Sequence, residues 1–309
     1  MNPLTGIYAA ASALRNSLFE RRLLPIRRLE RPVVSVGNLS VGGAGKTPFV
    51  IALGGLLKAR GIRFDVLSRG YGRKTRGVRV VDPNGSASDF GDEPLLIARR
   101  LEVPVVVGES RYQAGRIAET NFQSQLHILD DGFQHRSLAR DFDIVLLTER
   151  DFEDRLLPAG RLREPLSSLA RADAIVLPSE SAASHSAFGG KLIWRMQRRI
   201  AVPDAPPAPV VFCGIARPEQ FFKQVRATGI RPAFEVAFRD HHFYSPRDIE
   251  QLVAARAKHH ASGFVTTEKD AVNLGPLRSQ LNPLATAVLT VSLDNPADVV
   301  DTILSRIKV

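Results

Sequence analysis

Short apolar segments alternate with segments of helical periodicity along most of the chain. Residues 33–36 are mostly apolar, as in a buried strand, and residues 47–59 repeat apolar positions at helical spacing. The same alternation predicts strands at residues 64–67, 103–107, 127–129, 142–147 and 174–177, and helices at residues 93–101 and 111–121. This order predicts an α/β fold with a mostly parallel sheet that carries helices on both faces.

A polar interruption divides the pattern. Residues 179–190 are rich in serine, alanine and glycine, and residues 202–207 are rich in proline. We therefore interpret residues 31–184 as one domain, residues 185–207 as a linker or hinge, and residues 208–309 as a smaller α/β domain. The smaller domain is predicted to contain strands at residues 210–214, 233–238, 263–266 and 287–291, and helices at residues 218–227, from 246 onwards and at 296–307.

Residues 1–30 have a different character. Apolar side chains recur at helical spacing on one face, at Leu4, Ile7, Tyr8, Ala11, Leu14 and Leu18. Six arginines between positions 15 and 31 are opposed by only two glutamates. This combination is typical of a helix that lies on an anionic membrane surface, although a terminal helix docked on its own domain would show a similar stripe.

Composition narrows the possible partners. The 309 residues carry a formal net charge of +10, which favours an anionic partner such as nucleic acid, a phosphorylated substrate or an anionic membrane face. Aromatic residues make up only 7%, which argues against single-stranded nucleic acid, where stacking surfaces are needed. The lone cysteine indicates a reducing compartment. No segment has the length or flanks of a membrane span or signal peptide, so we expect a cytoplasmic location.

A glycine-rich loop between the first strand and the first helix of the α/β pattern carries the strongest chemical signal. It resembles a P-loop, in which backbone amides surround phosphates, the lysine reaches the β- and γ-phosphates and the threonine hydroxyl faces Mg²⁺. An ordinary glycine-rich turn is the alternative. The predicted nucleotide-binding residues are Ser40, Val41, Gly42, Gly43, Ala44, Gly45, Lys46 and Thr47.

Acidic residues follow at two places. Asp130 and Asp131 end the apolar strand at residues 127–129, as in a Walker B element that holds Mg²⁺, although Asp-Gly is also common at turns. Asp92 and Glu93 lie in a Gly-Asp-Glu-Pro sequence before a helix. They could cap that helix, or serve phosphoryl transfer as a general base or Mg²⁺ contact.

Three further motifs are weaker on their own. Asp240-His241-His242 follows a predicted strand, where ligands bind in open α/β sheets, but a structural role is common for such a group. Two glycine-containing basic stretches, at residues 67–76 and 157–165, could fold around an anion or form solvated loops.

Together and in this order, the motifs resemble the tetraacyldisaccharide 4′-kinase family, the lipid A 4′-kinases. The resemblance extends over almost the whole chain. Its most specific part is the Asp-Asp-Gly-Phe-Gln-His string at residues 130–135, which accompanies the P-loop. The other segments that carry it are residues 36–48, 67–73, 91–94, 157–160, 162–165, 240–242 and 266–272.

The resemblance implies an ATP-dependent kinase that phosphorylates the 4′-hydroxyl of an acylated glucosamine disaccharide 1-phosphate. It also implies a P-loop NTPase-type domain with a smaller C-terminal domain, a peripheral position on the cytoplasmic face of the inner membrane, and no nucleic-acid partner. Asp92 would be the catalytic base with His241 assisting, and Lys46 and Arg163 would act on the reacting groups. The Mg²⁺ site would comprise Thr47, Glu93, Asp130, Asp131 and Glu164.

Two points and two other functions remain open at this stage. Arg161 departs from the family pattern and could alter acceptor contacts, and Thr267, Lys269 and Asp270 could contact the nucleotide base or only shape a turn. The same motifs would also suit a P-loop switch ATPase that only hydrolyses nucleotide. A basic nucleic-acid-binding ATPase would show tight, salt-sensitive binding to duplex or RNA.

Overall fold

The computed structural model describes residues 3–182 and 188–308. Within these ranges the strands are β1 (Val33–Asn38), β2 (Phe64–Ser68), β3 (Arg79–Val80), β4 (Val105–Val107), β5 (Leu126–Asp130), β6 (Phe142–Leu146), β7 (Ala174–Pro178), β8 (Leu192–Ala201), β9 (Val210–Cys213), β10 (Phe234–Ala237), β11 (Phe264–Thr267) and β12 (Leu284–Leu293). The helices are α1 (Pro3–Glu20), α2 (Lys46–Ala59), α3 (Ala87–Phe90), α4 (Asp92–Leu101), α5 (Arg111–Asn121), α6 (Pro218–Ala227), α7 (Pro246–Lys258), α8 (Glu268–Leu274) and α9 (Pro296–Ile307).

The strands form one sheet in the order β10-β9-β11-β12-β8-β7-β6-β1-β5-β2-β4-β3. Neighbours are parallel except at β3–β4 and β8–β12, which confirms the predicted mostly parallel α/β fold. Val34 and Val36 pack with α2 on one face of β1, whereas Val33 packs with α5 on the other. Because Val36 is in register with Asp130, the loop after β1 and the end of β5 meet at one edge of the sheet.

The segment predicted as a linker departs from that expectation. Residues 192–201 form β8, which pairs in parallel with β7 and antiparallel with β12. Side chains alternate along it: Trp194 and Met196 pack into the main core, while Arg195 and Gln197 occupy the opposite side. This burial explains a strand where the prediction placed irregular chain. The boundary at residues 184 and 185 lies outside the described residues, and the division into domains stays a prediction.

Strand β12 joins the two halves of the sheet. Its first four residues pair in parallel with β11, and its last six pair antiparallel with β8. The β9–β10–β11 half is therefore continuous with the P-loop half through backbone hydrogen bonds. Residues from the loops after β9, β10 and β11 line one cleft together with residues from the loops after β1 and β5.

Helix α1 has two different faces. Tyr8 donates a hydrogen bond to the Arg163 carbonyl oxygen (3.0 Å), Asn16 donates to Glu164 Oε2 (2.9 Å), and Phe19 is buried. Leu4, Ile7 and Leu14 lie on the exposed face, each with more than half of its surface accessible. The helix is thus docked on its domain and still presents apolar side chains to solvent. In the described part of the chain, no helix is both long and apolar enough to span a membrane.

A buried histidine gives the fold a pH-dependent contribution. His127 on β5 places Nδ1 2.8 Å from Asp65 Oδ1 on β2 and Nε2 3.5 Å from Glu119 on α5. Burial alone would lower the pKa of His127, but the hydrogen bonds and charges of Asp65 and Glu119 outweigh it and raise the pKa above its ordinary value. Protonation of this histidine is therefore coupled to folding.

We expect this pair to stabilise the protein more at low pH than at high pH. The contribution is complete below the unfolded-state pKa of about 6.5 and disappears as pH rises through the higher native-state pKa. Urea unfolding from pH 5.5 to 8.5 should therefore show a decline in the free energy of unfolding that a His127→Gln variant lacks. His260→Asn, at an exposed position, should retain the decline. Parallel pH curves for wild type and His127→Gln would contradict the assignment.

Candidate active site

The glycine-rich loop connects β1 to α2. Gly42, Gly43 and Gly45 have φ angles of 70°, 65° and 84°, in the left-handed region that glycine adopts at little cost. This conformation lets the loop bend tightly from the end of the buried strand into the first turn of α2. Its amides and the amino end of α2 then face a cleft of about 800 Å³.

Lys46 extends from the first turn of α2 across this cleft. Its Nζ donates to Asn38 Oδ1 (3.0 Å) and lies 3.3 Å from Asp131 Oδ1. Arg163 also reaches Asp131, with 2.8 Å between Nη2 and Oδ1. Burial alone would raise the pKa of Asp131, but Lys46 and Arg163 hold it well below its usual range. Asp131 is therefore ionised and joins the P-loop lysine to the second basic stretch.

Asp130 lies in a different environment from its neighbour. Its side chain is buried at the end of β5, where Oδ2 accepts a hydrogen bond from Ser68 (3.0 Å). Burial, with the nearby Glu93 and Asp131 charges, raises the pKa of Asp130 to about 7. Its buried Oδ1 has no hydrogen-bond partner among the described residues. A cation at this oxygen would give it a partner and would reduce the repulsion between the carboxylates.

Four of the five residues predicted to bind Mg²⁺ line this cleft, namely Thr47, Glu93, Asp130 and Asp131. Glu164 does not, because it accepts hydrogen bonds from Arg171 (2.7 Å) and Asn16 (2.9 Å) beneath α1. Within residues 3–182 and 188–308, no three acidic, histidine or cysteine side chains cluster closely enough to hold a metal by themselves. Mg²⁺ commonly binds one or two carboxylates and completes its shell with phosphate oxygens and water.

Asp92 and His241 meet across the cleft. Asp92 opens α4 and is almost fully buried, and His241 follows β10 with a left-handed φ of 56°. The His241 Nδ1 lies 3.0 Å from Asp92 Oδ2 and 3.2 Å from Oδ1. Burial would raise the pKa of Asp92, but His241 and Lys269 outweigh it and lower the pKa. The two residues come from opposite halves of the sheet.

Lys269 on α8 also belongs to this group. Its Nζ lies 3.1 Å from His241 Nε2 and 3.3 Å from Glu93 Oε1. Because an ammonium group only donates, Nε2 of neutral His241 accepts from Lys269, and Nδ1 of that form carries the hydrogen that faces Asp92. Asn273, one helical turn further on, donates to Asp92 Oδ2 (3.0 Å). Sequence reasoning assigned no role to Asn273 and left that of Lys269 open, since only the fold brings α8 beside α4.

The other two residues left open near Lys269 are engaged with the protein itself. Asp270 is buried and accepts hydrogen bonds from the Gly214 amide (2.8 Å) and the Tyr244 hydroxyl (2.9 Å). Thr267 donates to the second oxygen of Asp270 (2.5 Å), and its side chain also caps α8. These bonds fix the turn from which Lys269 projects. A contact of Thr267 with a nucleotide base stays a hypothesis.

Comparison with known proteins now decides the family. Residues 1–308 match the family described as tetraacyldisaccharide-1-P 4′-kinase. The chain belongs to this family. It is 48% identical over 318 residues to the tetraacyldisaccharide 4′-kinase of Koribacter versatilis (strain Ellin345). This match covers 100% of this chain and 99% of that protein. The enzyme of the same name from Aquifex aeolicus (strain VF5) is 39% identical over 289 residues, 88% of each chain.

A solved structure supports the same assignment. The crystal structure of LpxK from Aquifex aeolicus, described as an "apo" form in complex with ATP, superposes with a TM-score of 0.80. Sequence identity in this match is 35%, and it covers 99% of this chain and 97% of the other. The resemblance read from the motifs is therefore confirmed, and the chain is a phosphotransferase of lipid A biosynthesis.

In addition to Lys46 and Arg163, a cluster of three arginines lines the cleft of this kinase. Arg15 from α1, Arg69 from the loop after β2 and Arg111 from α5 line it together with His135. Burial and then Arg69 lower the pKa of Arg111 to about 10, and burial with Arg111 lowers the pKa of His135 to about 4. His135 is thus neutral among several arginines. Such a concentration of charge at the end of the cleft nearest α1 suits an anionic ligand.

Arg161 contacts the P-loop. Its guanidinium donates to the carbonyl oxygen of Val41 at 2.7 Å, and its backbone carbonyl accepts the Val41 amide at 2.8 Å. Arg161 thus stabilises the P-loop through Val41 and is not one of the described residues that line the cleft. These contacts favour a role in P-loop conformation, and an effect of Arg161 on acceptor contacts stays a hypothesis.

Proposed function

We propose that this kinase transfers the γ-phosphate of ATP to the 4′-hydroxyl of tetraacyldisaccharide 1-phosphate at the Asp92–His241 pair. The observation that carries the proposal is the 3.0 Å contact between these two side chains in a cleft that the P-loop also lines. A base and a phosphate-binding loop that face one cavity suit in-line transfer to a hydroxyl, with the donor on one side and the acceptor on the other.

The nucleotide would bind along the P-loop. Amides of residues 42–46 and Lys46 Nζ would contact its phosphates, and apolar side chains of Ile200, Phe221 and Leu289 on the cleft wall would accommodate the base. Thr47, with one or two of the carboxylates of Glu93, Asp130 and Asp131, would hold Mg²⁺, which would neutralise charge on the β- and γ-phosphate oxygens. The unpartnered Asp130 Oδ1 supports this placement.

Proton removal would fall to Asp92. Its lowered pKa keeps the carboxylate ionised at neutral pH, so it can accept the hydroxyl proton as the bond to phosphorus forms. His241 holds the carboxylate through its Nδ1 hydrogen and orients it towards the acceptor hydroxyl. Lys269 fixes the histidine tautomer from the other side. Arg163 would hold Asp131 in place and would stabilise the negative charge that develops on the transferred phosphoryl group.

The acceptor and its lipid surface would lie on the side of α1. Arg15, Arg69 and Arg111 complement an anionic headgroup, and the exposed face of α1 offers apolar side chains for acyl chains or a bilayer. We infer from this that the kinase associates peripherally with the cytoplasmic leaflet of the inner membrane.

The decisive experiment is a transfer assay with ATP, Mg²⁺ and the 1-phosphorylated tetraacyl disaccharide in mixed micelles. We expect a product phosphorylated at the 4′ position and stoichiometric formation of ADP. ADP formation at the same rate without the lipid would favour the hydrolytic switch ATPase instead. Phosphate at any other position of the disaccharide would contradict the proposed placement of the acceptor.

We expect the exposed face of α1 to determine binding to membranes. A triple variant, Leu4→Ser, Ile7→Ser and Leu14→Ser, removes apolar side chains without touching the docking face of the helix. Since a buried apolar side chain of this size is worth roughly 1.5–3 kcal/mol, affinity for anionic vesicles should fall by about 10²-fold or more. The apparent KM for lipid should rise in micelles, and the KM for ATP should stay unchanged.

The matched control is Val253→Ser on α7, another exposed apolar side chain on the described surface. This variant should sediment with vesicles as wild type does. If the triple variant sediments equally well, the membrane contact of this kinase lies elsewhere.

A further inference from the structure

Two arginines, one on β8 and one in the loop after β9, approach the P-loop glycines. A side chain at Gly45 would lie 2.6 Å from the Arg198 guanidinium, and one at Gly43 would lie 2.9 Å from Arg217 Nε. Arg198 also donates a hydrogen bond to the Ala44 carbonyl oxygen. The glycines therefore do more than permit the turn, because their bare Cα atoms leave room for both guanidinium groups.

The positions of these arginines follow from the fold. Arg198 lies on the face of β8 that carries Met196 and Ile200, so strand alternation directs it towards the cleft. Arg217 lies immediately before α6, in the loop that follows β9. Both line the same cleft as Lys46 and Thr47. Cations from β8 and from the loop before α6 thus face the loop between β1 and α2.

Neither arginine is satisfied by its surroundings. Nε of Arg198 and Nε of Arg217 are buried and have no hydrogen-bond partner among the described residues. Burial and then Arg217 lower the pKa of Arg198, and burial followed by Arg161 and Arg150 lowers that of Arg217. Neither arginine forms an ion pair within 4.0 Å among the described residues. Glu180 near Arg198, and Asp151 and Asp154 near Arg217, offset the repulsion only in part, so an anion bound beside these two guanidinium groups would be stabilised.

We propose that Arg198 and Arg217 clamp the β- and γ-phosphates of the nucleoside triphosphate against the P-loop. This inference rests on the proposed ATP-dependent transfer and assigns it two further nucleotide-contacting residues. The guanidinium groups stand beside the glycine amides that surround the phosphates, and their fork of donors matches phosphate oxygens. Arg198 exchanges the Ala44 carbonyl oxygen for phosphate when nucleotide binds.

The clamp makes transfer depend on both halves of the sheet. A P-loop alone contacts the phosphates from one side, whereas Arg198 and Arg217 reach the equatorial oxygens from the other. Negative charge on those oxygens is shared with both arginines throughout transfer. We do not assign Arg161 to the clamp, because its guanidinium donates to the Val41 carbonyl oxygen and Arg161 is not among the described residues that line the cleft.

The test compares nucleotides that differ only in phosphate number. Affinities of ATP, ADP and AMP are measured by equilibrium titration for wild type and for Arg198→Gln and Arg217→Gln, together with kcat and the KM for ATP. We expect each substitution to weaken ATP binding about 10-fold, to leave AMP binding unchanged, and to lower kcat/KM for ATP by about 10²-fold. Arg198→Lys and Arg217→Lys keep the charge and should recover part of the loss.

Arg199→Gln is the matched control, since Arg199 is the next residue of β8 and points to the opposite, exposed side. It should bind and transfer as wild type does. Equal losses for AMP and ATP would show a structural role and overturn the clamp, as would wild-type behaviour of all four variants. If a glutamine variant fails to fold, its lysine counterpart decides by the same ATP-to-AMP comparison. A wild-type protein that binds ATP but does not phosphorylate the lipid would refute the proposed function separately.

Discussion

Lys46→Ala should lower kcat on the order of 10³-fold at saturating ATP and lipid. Lys46 is the one P-loop side chain whose charge reaches across the cleft, to within 3.3 Å of Asp131. Phosphoryl transfer gains most of its acceleration from electrostatic stabilisation of the transferred group, so loss of this charge acts on the reaction itself. Initial rates in mixed micelles measure the effect, with thermal unfolding recorded for each variant.

Lys58→Ala provides the control on the same helix. Lys58 lies in the last turn of α2 and donates to the Leu101 carbonyl oxygen, far along the helix from the cleft. Its loss should reduce stability slightly and leave kcat unchanged. A folded Lys46→Ala protein with near-normal turnover would show that the loop does not act as a P-loop, whatever its sequence.

The parts of the site that the sequence predicted are those whose geometry is local. Positions 40–47 lie between a strand and a helix, and that order alone fixes where their amides point. Asp130 ends β5, and parallel strands that end at one edge bring it to the P-loop without any knowledge of side-chain contacts. The same argument supported most strand and helix positions, because apolar periodicity reports burial directly.

The parts that the sequence did not predict depend on contacts between distant segments. Lys269 and Asn273 reach Asp92 only because α8 packs beside α4, and no periodicity or spacing reports that packing. Strand β8 was interpreted as linker because a polar stretch rich in serine, alanine and glycine precedes it and a proline-rich stretch follows it, yet Arg198 lies on the face that lines the cleft. Glu164 was predicted to bind Mg²⁺ because the family resemblance implied it. Its contacts with Arg171 and Asn16 join segments far apart in sequence or depend on side-chain packing, so only the structure shows them.

Asp92→Ala and His241→Ala should each lower kcat strongly while leaving ATP affinity nearly unchanged. A sugar hydroxyl is a poor nucleophile, and a carboxylate that accepts its proton gains about 10²–10⁴-fold in rate. Asp92 is buried, ionised and held by His241, Asn273 and the Glu93 amide, so its position is fixed before the acceptor arrives. Removing His241 frees one side of that carboxylate and breaks the contact between α4 and the loop after β10.

The double variant shows whether the two residues act as one unit. If Asp92 abstracts the proton and His241 acts only through it, the double variant should be scarcely slower than Asp92→Ala alone. Losses that multiply would mean two independent roles and would contradict the pair. Single-turnover rates at saturating ATP are the appropriate measurement, because they exclude product release.

His242→Gln separates this pair from its sequence neighbourhood. His242 stacks on Phe238 with 4.7 Å between ring centroids and lies 3.2 Å from Asp248, so it faces the core of its own half of the sheet. Its substitution should reduce stability and leave the rate of phosphoryl transfer at the wild-type value. If His242→Gln slows transfer as much as His241→Ala at equal stability, the loss of rate would not be specific to His241. The 3.0 Å contact between Asp92 and His241 would then be structural.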